Sequence, residues 1–235
     1  SPSRGLGDVY KRQACITVLL IGLVAGAING LGICFMHIPP IVMTLATGNV
    51  LLGIAYIYCN GSPKGYRAPL LEQIVNGRVL GVLSGSVIIW ILLAVGIVFL
   101  LAKTTFGRSV YAIGVNAEAA RYSNIHVSST LILSYIIAGI VTAVTGILLV
   151  GYTGSAYMST GSAYGMDSIA AVVIGGTAIT GGHGGYAGTI AGVLIMTILT
   201  SLMTMLNMAD AGRQIVQGLI IVILLVAVYS RNKKA

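Results

Sequence analysis

Residues 80–102 read LGVLSGSVIIWILLAVGIVFLLA, an apolar stretch without a charged side chain. A helix needs about 20 apolar residues to cross a bilayer core of about 30 Å, so this stretch is long enough. Four further runs meet the same test, at 14–34, 38–58, 130–152 and 186–206. The run 214–229 is shorter but strongly apolar, and 168–180 is predicted to be a half-helix or a tilted segment whose broken backbone is covered by protein. The sequence therefore predicts an all-α, polytopic transmembrane bundle of about six to seven membrane helices.

The composition favours the same fold class. Of 235 residues, 57% are hydrophobic and 8% are charged, whereas about 25% are charged in an ordinary soluble domain. The mean hydropathy of +0.97 excludes a soluble globule, a disordered chain and a disulfide-built secreted module. The net charge of +8 comes from basic residues scattered singly between apolar runs. That pattern is typical of topology-setting charges, and it does not indicate a nucleic-acid partner.

The first 13 residues, SPSRGLGDVYKRQ, differ from everything that follows. They are polar, they lack an initiator Met, and they stop abruptly at Ala14. A signal peptide is disfavoured because 14–34 is long enough to span and no convincing small-residue cleavage site follows it. The segment resembles the translated adapter strings that contaminate assembled sequences. We therefore expect 1–13 to be a non-native leader and 14–235 to be the C-terminal portion of a longer membrane domain.

The positions of Lys and Arg predict the orientation. The loop 103–126 and the C-terminal tail each carry three basic residues, and four predicted passes separate them. Both then lie on one side, which the positive-inside rule makes cytoplasmic. This places 59–79 and 153–167 outside and 181–185 inside.

Glycines recur at four-residue spacing inside the predicted spans. Such small-xxx-small faces let two helix backbones approach closely, so they predict a tight bundle. The repeats are Gly22, Gly26 and Gly30; Gly184, Gly188 and Gly192; and the shorter pair Gly81 and Gly85.

Motifs for chemistry on this chain are missing. No predicted span centre holds Asp, Glu, Lys or Arg, which argues against a proton- or ion-driven carrier. The sequence contains no P-loop, no GxSxG or HExxH motif and no paired carboxylates. His37, His126 and His183 are far apart in sequence, so we expect no shared metal site. We predict no catalytic residue, no metal and a passive or partner-powered conduit.

The segment 103–126, KTTFGRSVYAIGVNAEAARYSNIH, is the most informative loop. Asn116 can N-cap a short helix that begins at Ala117. Glu118 would lie in its first turn and could pair with Arg121 at i+3. Gly107 and Gly114 could turn the chain on either side. From composition, a force-transmitting helix and a solvated loop are equally compatible with this segment.

This segment resembles the coupling loop of ABC-transporter permeases, particularly the ribose/xylose/galactose-type importer family, which reads FGR-x-x-YAIG-x-N-x-x-AAR-x-S-G-I. Asn124 replaces the family's glycine, and asparagine tolerates the same left-handed conformation. Similarity continues through IPPIVMTLAT (38–47) and GMDSIAAVVIGGTAITGGHGGYAGTIAG (165–192), covering nearly all of 20–230. The matching residues of the loop are Phe106, Gly107, Arg108, Tyr111, Ala112, Ile113, Gly114, Asn116, Glu118, Ala119, Ala120, Arg121, Ser123 and Ile125.

The resemblance implies a permease subunit of a binding-protein-dependent importer for a small polar solute, expected to be a monosaccharide. Its implied partners are cytosolic ABC ATPase subunits, a periplasmic or extracellular solute-binding protein, a second permease subunit and the lipid bilayer. The chain would be no enzyme and hold no cofactor, because ATP and Mg would bind the ATPase. It would lie in the bacterial cytoplasmic membrane with a cytoplasmic C-terminus. The implied ATPase-coupling residues are Gly114, Asn116, Glu118, Ala119, Ala120, Arg121 and Ser123.

Two further sets of polar residues are weaker candidates. Thr44, Thr47 and Asn49 lie inside a predicted span, where they could line a pathway or make ordinary interhelical hydrogen bonds. The second set lies in the predicted outer loop 153–167 and in the segment 181–185, called the GGHGG loop. The candidate gate or loop residues are Tyr157, Tyr164, Asp167, Gly181, Gly182 and His183.

Two alternative functions stay open. A self-contained secondary transporter or channel would take up solute without ATP. A membrane scaffold would assemble stably and carry no flux. The absence of intramembrane charge weighs against the carrier, and the AEAAR segment weighs against the scaffold.

Overall fold

The structure is a computed structural model that describes residues 3–61, 69–79, 83–154, 160–178 and 181–208, together with 212, 214–216, 218–220 and 222. Within those residues, five helices are long and apolar enough to cross a membrane. Each coincides with a predicted long run to within five residues at either end, apart from the earlier start of the first helix. They are α1 (Ser3–Phe35), α2 (Pro40–Tyr58), α4 (Gly85–Lys103), α7 (Val127–Thr153) and α9 (Tyr186–Met205).

Shorter elements lie between these helices. A single antiparallel pair of two-residue strands joins Arg78 to Ser84 and Val79 to Leu83 in the described part of the chain. The predicted all-α bundle is therefore confirmed, with one short ribbon added. The shorter elements are α3 (Pro69–Asn76), β1 (Arg78–Val79), β2 (Leu83–Ser84), α5 (Thr105–Val115), α6 (Ala117–Tyr122) and α8 (Thr160–Ile174).

Helix α8 corrects the predicted half-helix at 168–180. It begins at Thr160 and ends at Ile174, so 160–167 is helical rather than part of an outer loop. The stretch TGSAYG is rich in small polar residues and glycine, which resembles a loop, but it continues directly into the apolar turns that follow. Most of the predicted run 214–229 lies outside the described residues.

The chain divides into two compact units, each described here by itself. The first comprises Ser1–Leu93 and Asn124–Met158, and the second comprises Ala94–Ser123 and Ser159–Ala235. Helices α1, α2, α3 and α7 belong to the first unit. Helices α5, α6, α8 and α9 belong to the second.

The first unit is built on the crossing of α1 and α7. A Cβ atom added at Gly22 would stand 2.6 Å from the Gly139 carbonyl oxygen, and one at Gly30 would stand 2.8 Å from Ile132 Cα. Gly26 lies against the α7 backbone at an equally close approach. Since real Cβ atoms do not approach backbone this closely, the predicted packing role of this glycine repeat is confirmed.

Part of the predicted outer loop 59–79 forms α3, which packs on the end of α7. Val75 is fully buried and contacts Gly151, where an added Cβ would stand 2.6 Å from a Val75 methyl carbon. Asn76 Nδ2 donates to the Gly151 carbonyl at 3.4 Å. This end of the first unit is therefore a packed cap on α7.

The second unit contains a helical hairpin of α8 and α9. Gly188 meets the backbone of Gly175, and Gly192 meets the backbone of Ala171. Ala170, Ala171 and Met196 form its buried core. Gly184 lies outside α9 with φ 144°, so only two members of this glycine repeat act as predicted. Gly81 lies outside the described residues.

Most large apolar side chains face outward. Helix α2 has no buried residue, and Ile41, Leu45 and Ile57 are each more than 60% exposed. Exposed apolar surface on this scale requires lipid or another protein to cover it. The molecule is therefore a multi-pass membrane protein.

Candidate functional site

The segment 103–126 folds into two consecutive helices where one was predicted. Helix α5 begins after Thr104, whose Oγ1 accepts from the Gly107 amide at 3.2 Å. Gly107 is buried against the backbone of Leu101, and Gly114 lies within the last turn of α5. The predicted turns at Gly107 and Gly114 are therefore wrong: both glycines are helical, and they permit close packing.

Asn116 joins the two helices as a single extended residue. It ends α5 and begins α6 with φ −159° and ψ 109°. Its Oδ1 accepts from the amides of Glu118 at 2.9 Å and Ala119 at 3.1 Å. These bonds satisfy amide groups that a helix start otherwise leaves unpaired. The predicted cap at Asn116 and the helix beginning at Ala117 are confirmed.

The end of α6 is closed as firmly as its start. Ser123 Oγ donates to the Ala119 carbonyl at 3.1 Å. Asn124 follows with φ 60°, the left-handed conformation expected where the resembled family has glycine. The six-residue helix is therefore fixed at both ends by its own local sequence.

Helix α6 presents most of its surface outward. Ala120 is 4% exposed, whereas Glu118, Ala119 and Arg121 are exposed. Tyr122 is 92% exposed, and the sequence-based list of coupling residues omitted it. An aromatic residue at the end of AEAAR could have been noticed, because tyrosine is enriched where proteins dock.

Glu118 and Arg121 do not form the predicted ion pair. Neither side chain is ion-paired within the described part of the chain. An exposed pair of this kind stabilises a helix by only about 0.3–0.5 kcal/mol, which is too little to hold two long side chains together. Both charges are therefore available to a partner.

The GGHGG loop packs on the last turn of α5. A Cβ added at Gly114 would stand 2.5 Å from the Gly182 amide nitrogen, and Gly181 lies against the same residue. Tyr111 Oη donates to the Gly184 carbonyl at 3.0 Å. The structure therefore brings Gly114 together with Gly181 and Gly182, two groups that the sequence assigned to separate sites.

This loop is a tight turn held by its own backbone. The Ala178 amide donates to the His183 carbonyl at 2.9 Å, and the Gly181 amide donates to the Ala178 carbonyl at 3.0 Å. Gly181 and Gly182 have φ of 88° and 78°, values that side chains disfavour. His183 is exposed.

The other predicted gate residues are not gathered into one place. Tyr164 and Asp167 lie on α8, where Tyr164 is exposed and Asp167 is half-buried. Their assignment to an outer loop is corrected by the earlier start of that helix. Tyr157 lies outside the described residues.

Helices α1, α2 and α7 enclose a cleft of about 450 Å³ in the first unit. Thr44 and Thr47 both line it, together with Asn29 of α1. Thr47 Oγ1 donates to Asn29 Oδ1 at 2.7 Å, whereas Thr44 Oγ1 donates to its own helix at Pro40. Asn49 is exposed and is not among the cleft residues.

The cleft walls are otherwise mainly apolar or small residues, so the polar groups available there are few. The described residues also contain no cluster of three His, Cys, Asp or Glu that could hold a metal ion. The pair α5–α6 combines an exposed surface on α6 with a packed contact between the last turn of α5 and the GGHGG loop.

A set of apolar helices long enough to span, with a short, capped and exposed helix between two of them, defines a multi-pass membrane protein. Comparison of its sequence with known families identifies the family more closely. Residues 13–225 match the family described as the permease component of the branched-chain amino acid transport system, and the chain belongs to that family. The predicted relation to ABC-importer permeases is confirmed.

Curated relatives agree with this family. The chain is 37% identical over 81% of its length to the probable ABC transporter permease protein YphD of Escherichia coli (strain K12), covering 57% of that protein. It is 35% identical over 97% of its length to the ribose import permease protein RbsC of the same strain, covering 71%. It is 35% identical over 93% of its length to the galactose/methyl galactoside import permease protein MglC of Haemophilus influenzae, covering 67%.

The chain thus spans between 57% and 71% of the length of these relatives. No solved structure matches it significantly.

Proposed function

We propose that this chain is part of the membrane-spanning permease subunit of a binding-protein-dependent ABC importer. The observation that carries the proposal is α6, a short helix capped by Asn116 and exposed on the face that bears Glu118, Arg121 and Tyr122. In the proposed complex, cytosolic ATPase subunits bind this face, and ATP and Mg bind those subunits. The chain itself catalyses no reaction.

The proposed solute is a small polar molecule of the monosaccharide class. Support comes from relatives named for ribose and for galactose or methyl galactoside import. A solute-binding protein would deliver it to the outer face, and a second permease subunit would complete the pathway. The basic loop 103–126 and the C-terminus would both be cytoplasmic in the bacterial inner membrane.

The test uses the complete permease, co-expressed with an ABC ATPase and a solute-binding protein from the same organism. Tyr122→Ala should weaken capture of the ATPase about tenfold or more, since a docked aromatic side chain is commonly a dominant contact. Tyr58→Ala is the matched control, because Tyr58 is 88% exposed at the end of α2 and would lie on the opposite side of the membrane.

Charge reversal at Glu118 or Arg121 should also weaken capture, whereas Tyr58→Ala should leave it unchanged. ATP-dependent sugar uptake into proteoliposomes then measures transport. Normal ATPase capture and normal transport by the Tyr122 and Glu118 variants would exclude α6 as the docking element. Uptake that needs no ATP would favour a self-contained carrier.

A further inference from the structure

The docking helix α6 is connected to a second part of its own unit through α5. Asn116 is the only residue between α5 and α6, and its side chain and backbone bond to both helices. A displacement of α6 is therefore passed directly to the last turn of α5. The residues that contact this last turn would receive the displacement next.

The last turn of α5 touches the GGHGG loop over a face that leaves no room for side chains. A Cβ added at Gly182 would stand 2.8 Å from Val115 Cγ2 and 3.0 Å from the Val115 nitrogen. The reciprocal approach of Gly114 to Gly182 is equally close, and Tyr111 adds a hydrogen bond to Gly184. Contacts between backbones at this separation transmit displacement with little slack, because packed interiors are poorly compressible.

The GGHGG loop is in turn fixed to the α8–α9 hairpin. Its Gly184 lies against the side chain of Thr177, just beyond the end of α8. Gly185 then takes the N-cap position of α9, which begins at Tyr186. The two helices are locked to each other where Gly188 meets Gly175. The loop and hairpin therefore form one packed body with the end of α5.

We propose that Tyr111, Gly114 and Gly182 are positioning residues that carry movement of the docking helix to the α8–α9 hairpin. This inference rests on the proposed function, because it needs a partner that moves α6. It adds a second route for the force. The covalent chain connects α6 to α4 and α7, whereas the contact between α5 and the GGHGG loop connects it to α8 and α9, which are distant in sequence. Gly114 faces the loop in this arrangement and does not contact the ATPase.

The first test is Gly114→Ala in the complete permease with its ATPase and binding protein in proteoliposomes. The added methyl group must push α5 from the loop, so solute transported per ATP hydrolysed should fall about fivefold or more, while the ATPase still co-purifies. Gly96→Ala is the matched control, because Gly96 lies in α4 with no atom within 4 Å of an added Cβ. Tyr111→Phe should act in the same direction but less strongly.

An unchanged ratio in Gly114→Ala would overturn the inference, and so would loss of ATPase binding, which would make Gly114 a docking residue. If wild-type permease fails to bind the ATPase, the proposed function fails and the inference with it. If wild type transports and Gly114→Ala transports equally well, only the inference fails.

A second measurement leaves the glycines intact in case Gly114→Ala does not fold. Spin labels at Thr105→Cys and His183→Cys, with Cys15, Cys34 and Cys59 replaced, report the separation of α5 and the loop. The distance distribution should be the same without nucleotide and with bound ATP, because the two elements move together. A distribution that shifts between the two states would overturn the inference.

Discussion

The glycine repeat of α1 packs against another helix, whereas the glycines of α2 face open space. In α1, Gly22, Gly26 and Gly30 all lie against the α7 backbone, at separations that exclude a side chain. In α2, Gly48 and Gly53 have no atom within 4 Å of an added Cβ, and no residue of that helix is buried. The difference lies in what each helix packs against. A glycine in an apolar helix therefore marks a crossing only where a second backbone is present to meet it.

The largest expected effect is at the α1–α7 crossing. Gly26→Val would place three carbon atoms where the backbone of Tyr135 lies, so the two helices must separate. Overpacking of this kind should lower the free energy of unfolding by about 3 kcal/mol. Thermal or SDS-induced unfolding of the purified, complete protein measures the change.

Gly53→Val is the control for this substitution, because a Cβ added at Gly53 of α2 has no atom of another element within 4 Å. It should leave the unfolding free energy within about 0.5 kcal/mol of wild type. Equal losses in both variants would mean that helix propensity, rather than the crossing, determines the result. The different packing of the glycines in α1 and α2 would then make no difference to the free energy of unfolding.

The comparison also indicates what sequence could predict. The five long helices were predictable because apolar length alone identifies a span, whatever it packs against. The cap at Asn116 and the left-handed Asn124 were predictable because both depend on bonds within a few residues. The repeat Gly22, Gly26, Gly30 was predictable from its spacing, although its partner α7 was not.

Predictions failed where packing decided the conformation. FGRSVYAIG contains two glycines, and local propensity favours a turn at each. In the structure, Gly107 and Gly114 are helical, because each lies against a backbone, at Leu101 and at Gly182. The contact of Gly114 with Gly182 joins residues distant in sequence, so it leaves no local pattern. The contact between Gly114 and the GGHGG loop could not be predicted from the sequence for that reason.

A smaller effect is expected at the polar contact between α1 and α2. Thr47→Val keeps the side-chain shape but removes the hydroxyl that donates to Asn29 Oδ1. Interhelical hydrogen bonds in membranes contribute about 0.6 kcal/mol on average and about 1.7 kcal/mol at most, so a loss in this range is expected. Unfolding measurements on Thr47→Val, Asn29→Leu and the double variant form a cycle that isolates the pair.

Thr44→Val is the matched control on the same helix, because the Thr44 hydroxyl bonds only to carbonyls of its own first turn. Its effect should be smaller than that of Thr47→Val. A coupling energy of zero in the cycle, or equal effects at Thr44 and Thr47, would show that the bond does not hold α2 to α1.

The smallest expected effect is at Gly48 of α2. Gly48→Ala adds one methyl group where no atom lies within 4 Å, so the unfolding free energy of the purified permease should change by no more than about 0.5 kcal/mol. ATPase capture and transport by the assembled complex are then measured beside it. If stability is unchanged but assembly or transport falls, another protein covers this face of α2 in the complex. The open glycines of α2 and the packed glycines of α1 would then differ only in whether the partner helix belongs to the same chain.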